Sequence, residues 1–294
     1  MMDIISLLQN LSNGILIGAV YALIGVGLTL VFGVMRTINF AHGDFVVLGM
    51  YFAVVLNSIL KIDPYLTLLI AIPLGFVVGA LIQRLVLSRV SNAQPETMML
   101  ATLGISLVIA NLLLLFFGGE PKSVSVSYAS STINIAEVRI SVVLFFAGLA
   151  TLVVVLALYL ILNKTEIGKA IKAVAENSLG AELVGINTKK MQAIVFGIGM
   201  ALAVTAGVSL IPLLFASPVT TGALFTLKAF VVTVLGGLGN IGAAIAGGLV
   251  LGIVEIMGAA YLDSAYRDAY GLVIFLAILL VKPEGLFGKT VKRV

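Results

Sequence analysis

Nine apolar runs divide this 294-residue chain, and they restrict what it can fold into. They are Leu7–Phe32, Phe45–Leu60, Leu66–Leu87, Met98–Phe117, Ile140–Leu162, Ala193–Phe215, Phe225–Leu235, Ile241–Tyr261 and Tyr270–Val281. A helix needs about 20 apolar residues to cross the hydrocarbon core of a bilayer. Most of the runs approach or exceed that length. Phe225–Leu235 and Tyr270–Val281 are the poorest and read as broken or tilted helices. The expectation is an all-α, polytopic membrane bundle of eight or nine segments, some broken or re-entrant. It forms a single transmembrane domain over residues 1–294. Composition agrees: 61% of residues are hydrophobic and 10% charged, against about 45–50% and about 25% in soluble domains. No short apolar region with a cleavage site precedes the first run, so the N-terminus reads as retained.

Basic residues set the orientation, because cytoplasmic loops carry an excess of Lys and Arg. With the N-terminus outside, Arg36, Arg84, Arg89, five lysines between 163 and 192, and four basic residues after Val281 all fall inside. Lys61, Lys122, Arg139 and Arg267 fall outside, and Lys228 lies within a run. This predicts an inside C-terminus and an outward-facing Gly118–Arg139 loop rich in Ser and Thr.

Residues 163–192 form the polar island that holds those five lysines: Lys164, Lys169, Lys172, Lys189 and Lys190. A tight turn would suffice to reverse the chain. Instead Ile167, Ile171 and Val174 recur at helical spacing, which predicts a helix over Thr165–Glu176. Asn177 or Ser178 suits the N-cap of a second short helix, and Gly185 suits its C′ position. Two readings stand at this point. One is a docking surface for a soluble partner. The other is an amphipathic loop on the lipid headgroups, with snorkelling lysines.

Two breaks interrupt the apolar pattern. Phe32–Asp44 places Arg36, Asn39, His42 and Asp44 between apolar runs. Such a segment either leaves the membrane or lines a protected cavity, as broken helices do in transporters. The cavity reading has Asn39 and His42 facing water. The second break is Gly236–Asn240. Gly43 and Gly49 align with Gly242 and Gly248 at an offset of 199, a hint of an internal repeat. The GxxxG pairs Gly14/Gly18, Gly75/Gly79 and Gly248/Gly252 read as close helix contacts. Pro73 and Pro212 read as kinks. Glu255, within an apolar run, reads as a partner for Lys228 or as transport chemistry.

Three blocks resemble one known family. They are Gly25–Tyr51, Val234–Glu255, and the island sequence Ala175-Glu176-Asn177, Gly180-Ala181-Glu182 and Gly185-Ile186-Asn187. The island block is similar to the cytoplasmic coupling loop of ABC-importer permeases, and most similar to the branched-chain amino acid type. It departs from the broader Glu-Ala-Ala pattern, because Asn177 follows Glu176. The resemblance spans nearly the whole chain. It implies a permease subunit, not an enzyme, in a prokaryotic plasma (inner) membrane, translocating branched-chain or related small amino acids. It further implies a second permease subunit, two cytoplasmic ABC ATPases and an extracytoplasmic binding protein, with lipid around the bundle. Glu176, Asn177, Ala181 and Gly185 would couple to the ATPases. Asn39, Phe40, His42 and Gly43 would border the path, with Gly237, Gly239 and Asn240 as its second wall.

Other classes find less support. The chain has no Cys and one His, which removes thiol chemistry and leaves no His cluster for a metal. No cofactor site is expected. Gly288-Lys289-Thr290 imitates the end of a phosphate-binding loop, but the motif's first glycine would fall on Pro283. Basic residues follow topology, so nucleic acid is not an expected partner. An ion-coupled secondary carrier would need membrane-embedded carboxylates, and only Asp44 and Glu255 are available. A non-transport scaffold would not need broken helices.

Overall fold

The computed structural model describes residues 4–90, 94–135, 137–282, 285 and 286. Gly288-Lys289-Thr290 and Pro283 lie outside them. Among the described residues the regular elements are helices apart from one small hairpin. In order it runs α1 Ile4–Met35, α2 His42–Leu60, α3 Pro64–Ile82, a π-helical turn Gln83–Leu87, α4 Ser88–Val90 and α5 Pro95–Phe117. The hairpin β1 Thr132–Ile135 and β2 Val138–Ser141 follows, antiparallel, with Thr132 opposite Ser141. Then come α6 Val142–Lys164, α7 Glu166–Glu176, α8 Ser178–Leu183, α9 Thr188–Leu210, α10 Thr221–Gly236, α11 Ile241–Tyr261 and α12 Arg267–Val281. Among the described residues eight helical stretches are long and apolar enough to cross a membrane, and α10 is a shorter ninth apolar helix of 16 residues. The poor run at Phe225–Leu235 is therefore one short, unbroken helix.

The core is built on α1 and α9. They are buried along most of their length, whereas α5 and α12 expose most of theirs. That burial requires thin side chains. At Gly14 a Cβ would lie 2.9 Å from the Ile253 Cα, and at Gly18 2.9 Å from the Gly248 carbonyl. The backbones of α1 and α11 thus touch through the two expected GxxxG pairs. Gly75 and Gly79 of α3 likewise seat against Val204 and Met200 of α9.

These contacts define an inverted repeat. α1 packs on α11 as α9 packs on α3; α10 lies on α1 as α2 lies on α9; and α2 meets α10. Gly25-Val26-Gly27-Leu28 in α1 is matched by Gly207-Val208-Ser209-Leu210 in α9. Gly25 makes room for Val232 of α10, and Gly207 for the Val46 carbonyl of α2. The repeat thus relates α1–α2–α3 to α9–α10–α11. The offset of 199 pairs the wrong elements: Gly242 sits in the first turn of α11, not at a helix crossing like that of Gly43. Pro212 is also not a kink. It lies just after Ile211, the C-cap of α9, in the turn 211–214, and keeps the helix from continuing. Pro73 does lie within α3.

The end opposite the island is stitched together. Lys122 and Ala216 form a two-way backbone bridge, and the Tyr51 hydroxyl donates to the Ala216 carbonyl at 3.1 Å. Tyr128 donates to Asp63 Oδ2 at 2.5 Å, and the other oxygen of Asp63 caps α3 by accepting from the Tyr65 N–H. Burial, and then the Asp63 carboxylate, push the Tyr128 phenol above its usual range, so it stays a donor. Nearby, Glu255 ion-pairs with Lys228, which also reaches Asp268 at 2.8 Å and lies 4.8 Å from the Tyr21 ring centroid. Tyr21 donates to Glu255 at 2.9 Å. A buried carboxylate in a span is costly unless paired. Here it is, and the pairing fastens α10 and α12 to α1 and α11.

Candidate functional site

The break after α1 turns back into the bundle. Arg36 has φ 55°, a left-handed conformation rare for a non-glycine residue. Its guanidinium donates to the Ala175 carbonyl of α7 at 2.7 Å, which places this corner at the island end. Six residues later, His42 Nε2 meets the Ile24 carbonyl at 2.9 Å. A carbonyl can only accept, so Nε2 carries the proton. Ile24 lies twelve residues back along α1, about 18 Å at 1.5 Å per residue. Six extended residues reach about 20 Å. Residues 37–41 therefore climb back to mid-depth, and α2 starts inside the bundle.

At that depth the polar side chains turn inward. His42 is fully buried in a niche bordered by Gly27 and has no partner at Nδ1. Asn39 is 1% exposed; its Oδ1 accepts from the Ala41 N–H, and its Nδ2 lies 3.8 Å from Met200 Sδ. The expectation that both face a water-filled cavity is corrected: each fills a space between helices. Phe40 is the residue that reaches the surface, at 40% exposure. Its backbone is clamped from both sides. The N–H donates to Thr102 Oγ1 of α5 at 3.1 Å, and the carbonyl accepts from Thr226 Oγ1 of α10 at 3.1 Å. Thr226 Oγ1 also accepts from the Gly43 N–H at 2.9 Å.

Gly43 is where the two half-helices touch. A Cβ there would fall inside the radius of the Gly222 carbonyl, and one at Gly222 would collide with Asp44 Oδ1. Asp44 is buried in the first turn of α2 and beside the start of α10. The first turns of both half-helices therefore meet at its carboxylate. The element that this break packs against is thus the beginning of α10, not Gly236–Asn240. Gly237 and Gly239, with φ 116° and 82°, and Asn240, which caps α11, form the turn joining α10 to α11. That turn borders a cleft with Asn163, Lys172 and Ala175, so it lies at the island end.

The island folds as two helices. Thr165 caps α7, and Asn177 caps α8 by accepting from the Gly180 N–H at 2.9 Å. Gly185 has φ 88°, and the Ile186 N–H returns to the Ala181 carbonyl, closing α8 with a left-handed turn. Ile171 and Val174 are buried, while Ile167 is 46% exposed. Glu176, Asn177 and Gly185 are exposed. Ala181 is 4% exposed and faces the protein, which corrects its expected place on the outer surface. In its stead Leu179, Leu183 and Val184 stand out at 69%, 82% and 77% exposure. Sequence reasoning missed them, although Leu179 and Leu183 share one helical face by their i, i+4 spacing. Replacing Asn177 with Ala should cost α8 about 1 kcal/mol. Amide exchange at Gly180–Leu183 should then quicken by roughly fivefold, with α9 unchanged.

A polytopic bundle with a broken helix, a mid-depth contact between half-helices and a capped two-helix island narrows the possibilities. The family described as the permease component of the branched-chain amino acid transport system matches residues 10–282. The chain belongs to that family. It is 32% identical to the high-affinity branched-chain amino acid transport system permease protein LivH of Escherichia coli K12, over 96% of each chain. It is 31% identical to BraD of Pseudomonas aeruginosa over 98% of each, and 31% identical to a probable LivH of Methanocaldococcus jannaschii over 96% of this chain and 93% of the other. Among solved structures it is similar in fold to PsaBC from Streptococcus pneumoniae in complex with Fab. The TM-score is 0.51 and the identity 12%, covering 95% of this chain and 92% of that one. The chain is therefore a multi-pass membrane permease subunit.

Proposed function

We propose that the chain carries branched-chain or related small amino acids inward as one of two permease subunits, powered by two cytoplasmic ATPases and supplied by an extracytoplasmic binding protein. The match across residues 10–282 to a permease component carries this reading. The island would face the cytoplasm, as would the C-terminus, in keeping with the lysine distribution. Its ATPase contact would be Glu176, Asn177, Gly185 and the apolar face of Leu179, Leu183 and Val184. Exposed apolar groups outside the bilayer cost least when a partner covers them.

In this mechanism ATP-driven closure moves α7 and α8. The Ala175–Arg36 hydrogen bond passes that displacement to residues 37–41, and Thr226 shares it with α10. Phe40 then moves relative to a path between the two permease chains, with Asn39, His42 and Gly43 holding it from behind. This is a shift of packed elements rather than a local side-chain flip.

The test is co-purification. The chain alone should show no ATP hydrolysis above background, and its ATPases should purify with it from the native membrane. Leu183→Asp, on an 82% exposed residue, should leave the chain folded and strip the ATPases. Retention of both ATPases by that variant would remove α8 from the contact. Uptake sustained without any ATPase would remove the importer reading.

A further inference from the structure

α6 packs on the bundle along one narrow face and leaves clefts on both flanks. Two are apolar throughout most of their lining: one of about 710 Å³ between α3, α6 and α9, and one of about 410 Å³ between α1, α6 and α11. The third differs. It is about 600 Å³, bounded by Thr29–Val34 of α1, Val155–Asn163 of α6 and the start of α11, and roofed by α7. Its body is apolar, with Leu30, Val34, Leu158 and Ile245 among its walls, while Tyr159, Asn163, Lys172 and Asn240 gather at the island end. Among the described residues that line it, Lys172 carries the one charge; its Nζ donates to Asn163 Oδ1 at 2.7 Å. Lys169 is instead paired with Glu166 at 2.9 Å on the same helix.

We propose that this cleft holds one anionic phospholipid, with an acyl chain between α1, α6 and α11 and its phosphate at Lys172 and Asn163. The volume falls within the range of small-molecule sites, about 300–1,000 Å³. The apolar part lies within the last turns of α1 and α6, at hydrocarbon depth, and the cation lies where a headgroup would be. An amino acid substrate would need a carboxylate for its ammonium group, and the lining has none. A protein loop would have to bury backbone groups in hydrocarbon. Inorganic phosphate would satisfy Lys172 and leave the apolar body empty. Ile171 and Ala175, beside Lys172 on α7, roof the cleft, and the Ala175 carbonyl holds Arg36. The occupant therefore supports the helix that bears the link to the re-entrant segment, and its presence tunes uptake. That regulatory consequence rests on the importer reading; the binding itself does not.

The test reconstitutes the full complex in lipid discs of phosphatidylethanolamine with or without phosphatidylglycerol, and reads retained lipid by native mass spectrometry. The wild-type chain should keep one phosphatidylglycerol that excess inorganic phosphate does not displace. Val155→Trp, which fills the cleft, should lose it. Lys172→Gln should bind the two lipids equally, and Lys172→Arg should restore the preference. Uptake should rise with phosphatidylglycerol in the wild type and not in Lys172→Gln. Retention in Val155→Trp, displacement by phosphate, or no anionic preference in the wild type overturns the proposal. Absence of ATPases from the complex would instead overturn the importer reading, and leaves the lipid count readable.

Discussion

Gly43→Ala is expected to abolish uptake while the chain still inserts and binds its partners. A methyl group at this position has nowhere to go, because its two nearest neighbours are backbone, the Gly222 carbonyl and the Thr226 nitrogen, so rotating the Thr226 hydroxyl would not relieve it. Overpacking costs about 1–3 kcal/mol even where neighbours can adjust, and here the two half-helices must separate. Separation would also break the Gly43–Thr226 hydrogen bond and release the carbonyl clamp on Phe40. Uptake, complex yield and thermal midpoint should be measured together. A drop in uptake to background with yield retained is the expected result. Full uptake would show that α2 and α10 part easily and that their contact plays no role in transport. The companion Gly242→Ala, which meets only ordinary contact with Asn240 Oδ1 at 3.6 Å, should be silent.

Arg36→Ala should uncouple the permease. The guanidinium–carbonyl bond to Ala175 joins the island to the re-entrant segment directly. Hydrogen bonds to charged groups contribute about 1.5–3 kcal/mol, so its loss should weaken coupling by roughly tenfold or more. ATP hydrolysis should continue, and the ATPases should remain bound, while uptake per ATP falls. Arg36→Gly separates two effects: it removes the same bond but relieves the strain of φ 55°. If that variant also loses uptake, the hydrogen bond is the cause. Normal coupling in both variants would place the transmission elsewhere, through α6 and Gly168, whose backbone lies against Leu162.

The island was legible in the sequence because its determinants are local. A cap at Asn177, a left-handed turn at Gly185 and a buried stripe at Ile171 and Val174 involve residues a few positions apart. The GxxxG contacts were legible for a related reason, since a small residue repeated at i+4 marks a face whatever its partner. The depth of residues 37–41 was not legible. It depends on a niche that Gly27 leaves beside the His42 ring, where α1 also touches Gly199 of α9, far away in the chain. A string of polar residues cannot announce whether it points to water or to such a niche. Gly236–Asn240 misled for the opposite reason: glycines that permit a left-handed surface turn look like glycines that permit close helix contact. The true repeat was hidden because Gly-Val-x-Leu is short and its mates, Val232 and Val46, lie on helices of different sequence.

The stitched end of the bundle bears on direction. Lys122, Tyr51, Tyr65 and Tyr128 tie loops to helices there through backbone carbonyls and Asp63. At the island end, α7 rests on α1, α6 and α9 by packing, and the Arg36 hydrogen bond to Ala175 joins it to the re-entrant segment. A bundle hydrogen-bonded along one rim and held mainly by packing at the other should behave as tongs, with the fulcrum at the hydrogen-bonded rim. Work applied at the island end should then yield its largest excursion at that same mouth and its smallest at the rim. On the importer reading, the two mouths of one chain then open in turn rather than together.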